Sequence, residues 1–284
     1  MLIIFKIPII FDNHLHLRRD GRFLEAVKDF IKAGGTHFVL CQLPMTNLVI
    51  KNKNYNSCYQ ETLKIKEEIL NKTDIEVFVT VGPYPVDYLK LKKKFGRIEA
   101  IQIMKKGMDL AADLCEEGLC IAIGEIGRPH FPIEEQELDD SNEILFYGMK
   151  KAKDAGVPVV LHTESTTPDQ CKEISKMGKK AGLIPQKIVK HYSPPLILKS
   201  ENFGIMPSVL ASKKNIFTAI KKGTRFMMET DYIDDPCRPG AVLGPKTVPR
   251  KTIELIEKEI ISEDQILKIH KENPEKTYGI CLDQ

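Results

Sequence analysis

Short apolar runs recur along the chain, separated by stretches in which apolar residues return every three or four positions. The runs have the length of buried strands, and the intervening stretches have the period of amphipathic helices. Eight strands are predicted on this pattern: Ile9–His16, Thr36–Gln42, Glu76–Val81, Leu119–Glu125, Val157–His162, Lys187–His191, Phe203–Pro207 and Arg225–Glu229. The apolar stretch from Ile3 to Phe11 reads as the lead-in to the first of them. Helices are predicted at Phe23–Lys32, Asn56–Leu70, Pro85–Lys94, Asp109–Glu117, Ser141–Ala155, Pro168–Ala181, Ser208–Lys222, Val248–Ile260 and Ser262–Glu272. Gly34-Gly35, Gly118, Gly156, Gly182 and Gly223 stand where helices should end. Ser262 with Gln265 three residues on is a capping-box signature. Strand and helix in strict alternation over residues 1–284, with no linker or repeat, predict one domain folded as a (β/α)8 TIM barrel. A doubly wound open sheet is the alternative, and Ala100–Met104 is a candidate for an extra strand.

Polar residues cluster where these strands end. His14 and His16 share one face of the first strand, because alternate side chains point the same way. The fourth strand ends Gly124-Glu125-Ile126-Gly127, the fifth at His162, the sixth at His191, and the eighth at Glu229-Thr230-Asp231. Barrel enzymes carry their chemistry on the C-terminal ends of the strands. Four histidines with a glutamate and an aspartate at that one end exceed what a single tetrahedral ion needs. They suit two ions sharing a carboxylate, an arrangement that lowers the pKa of bound water and can clamp both oxygens of a hydrolysed ester or amide. Zinc fits imidazole and carboxylate ligands best, with magnesium or manganese as alternatives. Of the other histidines, His37 begins the second strand at the wrong end and reads as structural. His270 reads as solvent-facing on the last helix, and His130 follows the fourth strand closely enough to reach the site.

Composition narrows the picture. A formal net charge of +3 over 284 residues argues against a strongly nucleic-acid-binding surface. The seven cysteines form no C-x-x-C pair and read mostly as buried small apolar residues in a reducing cytoplasm. No stretch approaches the roughly 18 apolar residues of a membrane span, and no cleavage site follows the apolar start. The expectation is a cytoplasmic protein with no membrane and no obligate protein partner.

The motifs together resemble a known family. Asp12-x-His14-x-His16, the Gly124–Gly127 turn, His162, His191, Glu229-Thr230-Asp231 and the closing Glu272-Asn273-Pro274-Glu275-Lys276-Thr277-Tyr278-Gly279 are similar, in order, to the TatD-type metal-dependent hydrolases of the amidohydrolase superfamily. The resemblance implies a TIM barrel in which His14 and His16 hold a first ion, His162 and His191 a second, and Glu125 bridges them. It implies that Asp231 binds the first ion and acts as general base toward water. A carboxylate within reach of an activated water can orient it and take its proton.

The sequence departs from the family's nucleases in two places. They follow the strand-four turn with Leu-Asp, where this chain has Arg128-Pro129-His130. They carry an arginine soon after the strand-five histidine, where this chain has Thr163-Glu164-Ser165. The departures mark a divergent, archaeal-like branch. The substrate expected is a phosphodiester such as a nucleic-acid end, with Arg128, His130 and Arg238 as the cationic contacts. The alternatives are a small amide, lactone or cyclic imide, or a metal-binding barrel that catalyses nothing. Arg18 and Arg19, just after His16, read as a surface pair or as contacts to a substrate anion.

Overall fold

The computed structural model describes residues 8–283. The apolar lead-in over residues 1–7 lies outside them. Nine strands form one curled, wholly parallel sheet: β1 Phe11–His16, β2 His37–Cys41, β3 Glu76–Val81, β4 Ala122–Gly127, β5 Val159–His162, β6 Ile188–Lys190, β7 Met206–Leu210, β8 Met227–Glu229 and β9 Tyr232–Ile233. Neighbours in sequence are neighbours in the sheet, from β1 through β8. The helices are α1 Leu24–Lys32, α2 Thr46–Asn52, α3 Asn56–Leu70, α4 Asp87–Phe95, α5 Arg97–Glu116, α6 Glu135–Asp154, α7 Pro168–Lys180, α8 Lys199–Asn202, α9 Lys213–Lys222, α10 Thr247–Glu257, α11 Glu263–Leu267 and α12 Asn273–Tyr278. A π turn over Lys268–Glu272 joins the last two. The architecture is the (β/α)8 barrel that the alternation predicts.

The ring closes through a strand that the apolar pattern does not show. β9 lies beside β1, pairing Leu15 with Tyr232 and His16 with Ile233. Just before it, the Asp231 amide donates to the His14 carbonyl at 2.9 Å. Asp12 is the clasp: one oxygen accepts from Thr230 Oγ1 at 2.7 Å, the other from the Thr230 amide at 3.0 Å. β9 is only two residues long and sits between polar neighbours, so it carries no run to recognise. β1 also holds one extra residue against β2, since Asp12 faces Phe38 and Leu15 faces Leu40. A bulge of this kind bends a strand and re-aims its side chains, here at the residues that lead to the site.

Two layers of packing hold the elements. Inside the barrel, Phe11, Val39, Cys41, Ala122, Val160, Val189, Met206 and Met227 meet Tyr278 and Leu282, which follow from the C-terminal helix and plug the floor. Outside it, a larger layer packs the helices on the sheet, with Phe30, Phe38, Tyr59 and Leu91 fully buried. Each such side chain contributes about 1.5–3 kcal/mol on burial.

Several boundaries differ from those predicted. Ala100–Met104 is not a strand: it lies within α5, which begins at Arg97 rather than Asp109. Ala100, Ile103, Met104 and Gly107 are buried at helical spacing, a period that five residues cannot display. β7 runs on through Ser208–Leu210, and the helix after it starts only at Lys213, capped by Ser212. Every residue of β7 is buried, so its polar Ser208 looks like a helix cap while sitting in the core. The Ser262 capping box forms, with the Gln265 amide on Ser262 Oγ at 3.3 Å and the Ser262 amide on Gln265 Oε1 at 2.9 Å. His270 is not solvent-facing: it is fully buried between Phe11 and Thr252.

Candidate metal centre

His14, His16, Glu125, His191 and Asp231 are buried together at the C-terminal mouth of the barrel, and His162 stands beside them half-buried. Two groups bring their ligand atoms within 4.8 Å of one another: His14, His16 and Asp231, and His14, Glu125 and His191. His14 belongs to both. Its ring stacks on that of His191, with centroids 3.9 Å apart. His162 is in neither group and meets the cluster through Glu125 alone among the carboxylates, Nδ1 to Oε1 at 3.2 Å.

Partners on the far side of the His16 and His191 rings decide which nitrogen carries the proton. His16 Nδ1 lies 3.0 Å from the Cys41 carbonyl, which can only accept, so Nδ1 holds the hydrogen and Nε2 is bare. His191 Nδ1 lies 3.1 Å from Glu229 Oε1, which already accepts from the Tyr192 amide at 2.6 Å; again Nε2 is bare. His14 Nδ1 lies 3.2 Å from Cys41 Sγ, a group that donates or accepts, and its Nε2 faces the site. The Nε2 atoms of the three rings face acceptors or one another. His14 Nε2 is 3.2 Å from His16 Nε2 and 3.4 Å from Glu125 Oε1, and His191 Nε2 is 3.2 Å from the same oxygen. Asp231 Oδ1 stands 3.8 and 3.9 Å from His16 and His14 Nε2. Lone pairs aimed at lone pairs inside a buried cluster need a cation between them. The donor set of imidazoles and carboxylates suits a divalent ion.

The electrostatics agree. Burial drives His14, His16 and His191 below the usual histidine range, so they are neutral ligands at pH 7. Burial works to raise Glu125, but its His162, His14 and His16 neighbours outweigh that and hold it well below the usual carboxylate range. Burial, then Glu125 and Asp12, pushes Asp231 up to about 8. Asp231 also has a left-handed backbone, φ 47°, a conformation aspartate tolerates better than most side chains. The strand-four turn needs its glycine: a Cβ on Gly127, at φ 144°, would lie 2.1 Å from the His162 carbonyl. That same carbonyl accepts from the Arg128 amide at 2.9 Å.

The expected cationic contacts fare differently from one another. His130 does reach the site, its Nδ1 2.9 Å from His162 Nε2. Arg128 is not an open cation at the mouth. It is buried, donates to Asn142 at 2.6 Å, and pairs with Glu164 at 3.4 Å and with Glu173. Its pairing partner Glu164 belongs to the other departure from the nuclease pattern, after the strand-five histidine. Arg238 is 65% exposed and bound to Asp235 of its own loop at 2.9 Å. Arg18 pairs with Asp20, and Arg19 with Glu61 and Glu68.

Sequence reasoning missed the roles of four residues around the site. Cys41 orients both His14 and His16, and Glu229 orients His191. Tyr84 brings its hydroxyl within 3.5 Å of His162 Nε2. Lys190 is buried beside His191, donates to its carbonyl at 2.5 Å, and is pushed down to about 8 by burial. Cys41, Lys190 and Glu229 end β2, β6 and β8, which was the available signal; Tyr84 lies in the loop after β3 and carries none. Five of the seven cysteines are buried, while Cys237 and Cys281 are exposed.

A parallel barrel with this cluster at its C-terminal mouth defines a metal-dependent hydrolase. The chain belongs to the TatD related DNase family, which matches residues 11–279. The uncharacterized protein MJ1127 of Methanocaldococcus jannaschii is 42% identical over 276 residues, covering 96% of each chain, and ties this sequence to an archaeal relative. Among solved structures, the phosphotriesterase homology protein from Escherichia coli, complexed with phosphate in its active site, superposes with a TM-score of 0.66 at 14% identity over 96% of this chain and 100% of that one. The TatD homolog YJJV from Escherichia coli K12 gives 0.62 at 16% identity over 96% and 99%. At such identities the likeness is one of fold. Among the described residues, no helix is long and apolar enough to cross a membrane.

Proposed function

We propose that the protein is a two-ion phosphoesterase acting on small phosphodiesters or nucleic-acid ends. The observation that carries this reading is the set of bare imidazole nitrogens converging on Glu125 and Asp231. His14, His16 and Asp231 would hold one ion and His162 and His191 the other, with Glu125 between them. Divalent ions, zinc first, would supply Lewis-acid polarisation of the ester and a water acidic enough to attack at neutral pH.

The chain's own residues have distinct tasks. Asp231 takes the proton of the attacking water at its carboxylate. Its carboxyl is pushed up to about 8 by burial, Glu125 and Asp12, and bound divalent ions would lower it toward the working range of a general base. Glu125 Oε1 stands 3.2 Å from both His162 Nδ1 and His191 Nε2, where it would be shared between the two ions. His130, exposed and beside His162, meets the departing or non-bridging oxygens of the substrate.

A neutral ester, lactone or amide is the second reading. One observation favours it: Arg128, Arg238, Arg18 and Arg19 are all bound to carboxylates. The metal-loaded protein assayed on matched phosphodiesters, lactones and amides separates the two. Turnover of phosphodiesters supports the first, and turnover of neutral substrates alone replaces it with the second.

A further inference from the structure

A single file of buried polar side chains runs from the floor of the barrel to the mouth. It starts on α12, where Tyr278 Oη donates to Asn13 Oδ1 at 2.8 Å. Asn13 Nδ2 then donates to Ser208 Oγ at 2.9 Å, and Ser208 Oγ donates to Glu229 Oε2. The other oxygen of Glu229 accepts from the Tyr192 amide at 2.6 Å and lies 3.1 Å from His191 Nδ1. His191 Nε2 faces Glu125 at 3.2 Å. Tyr278, Asn13, Ser208, Glu229 and His191 are all buried, so water cannot substitute for a missing link.

The direction of the file is fixed at its start. Asn13 is the only hydrogen-bond partner of the Tyr278 hydroxyl among the described residues, so that hydroxyl donates. Asn13 therefore turns its oxygen to Tyr278 and its amide to Ser208. Ser208, having accepted one proton, gives its own to Glu229. Glu229 then receives Ser208 on one oxygen and the Tyr192 and His191 N–H groups on the other, and its carboxyl group is held in one orientation.

We propose that Tyr278, Asn13 and Ser208 are positioning residues for the metal centre: they hold Glu229 against His191 Nδ1, which keeps the bare Nε2 aimed into the site. This rests on the metal-hydrolase reading above. It gives the closing helix a second task besides plugging the floor. Hydrogen-bond partners behind a metal ligand typically govern 10–100-fold in metal affinity.

The test uses Tyr278→Phe and Ser208→Ala, each of which deletes one hydroxyl and leaves every ligand in place. Zn2+ affinity is measured by chelator competition, and the ring-nitrogen NMR shifts of His191 are read in the metal-free protein. The expected result is about 10-fold weaker Zn2+ binding in each variant and a His191 signal shifted toward a mixture of tautomers. In the double variant the losses should not add, because the two changes cut one file. Wild-type Zn2+ affinity and an unchanged His191 signal in both variants, whatever their Tm, would overturn the proposal. A wild-type protein that binds no Zn2+ at all would overturn the metal reading itself.

Discussion

At the floor of the barrel, His270 sets Nδ1 against the Phe11 backbone, 3.1 Å from its amide and 3.2 Å from its carbonyl, and Nε2 on Thr252 Oγ1 at 2.9 Å. Thr252 gives its own proton to Val248, so it accepts, and one donor and one acceptor meet the two nitrogens of a neutral ring. At the mouth, His16 and His191 are as deeply buried, yet each has a partner on Nδ1 only. Their Nε2 atoms point at another imidazole and at a carboxylate. Burial is common to both ends. What separates a structural histidine from a ligand is whether its second nitrogen is already satisfied.

The largest effect is expected at Asp231. Asp231→Asn should lower turnover by roughly 10²–10⁴-fold while leaving much of the metal bound. Steady-state rates beside elemental analysis check this, and a variant near wild-type activity would reduce Asp231 to a ligand at most.

His270 sharpens the contrast from the other end. Burial holds it down to about 4 in the folded protein, against 6.5 unfolded. The folded state therefore prefers the neutral ring, and stability falls as pH drops below about 6.5, with the loss complete near 4. The total is about 3 kcal/mol, from about 1.4 kcal/mol per tenfold change in proton affinity. His270→Gln should flatten that part of the acid slope in urea titrations at pH 7 and pH 5, with metal content unchanged. An unaltered slope would mean that the floor histidine does not carry the titration.

Arg128 tests whether the mouth holds an open cation. Because it is buried against Asn142, Glu164 and Glu173, Arg128→Ala should cost about 1–3 kcal/mol of stability and leave metal binding intact. If kcat/KM for phosphodiesters alone fell at unchanged stability, Arg128 would be a substrate contact after all. Arg238→Ala should have the smallest effect, under about 1 kcal/mol, since its pair with Asp235 is exposed. Chemical denaturation and the same kinetic panel serve for both.

The barrel was legible because each strand is a short apolar run and each helix keeps its period. The ligands were legible for a related reason. His14, Glu125 and His162 interrupt or end such runs, and a polar residue at a buried strand end stands out. What could not be read has no local mark. The clasp of Asp12 on Thr230 joins residues 218 apart in sequence. Ser208 looks like a helix cap and Tyr278 like a core aromatic until the fold sets them in file with Asn13 and Glu229. Arg128 looked free because the carboxylates that bind it come from two other stretches, Glu164 and Glu173.

The central claim, that cations belong between the Nε2 atoms of the mouth histidines and the carboxylates they face, is tested most directly by elemental analysis of the purified wild type and of Glu125→Gln. Glu125 Oε1 is the oxygen on which His14, His162 and His191 converge. The wild type is expected to carry up to two divalent ions per chain and the variant to lose most of both. Wild-type metal content in Glu125→Gln would contradict the shared-carboxylate centre, and a wild type that holds no ion after reconstitution would contradict the account as a whole.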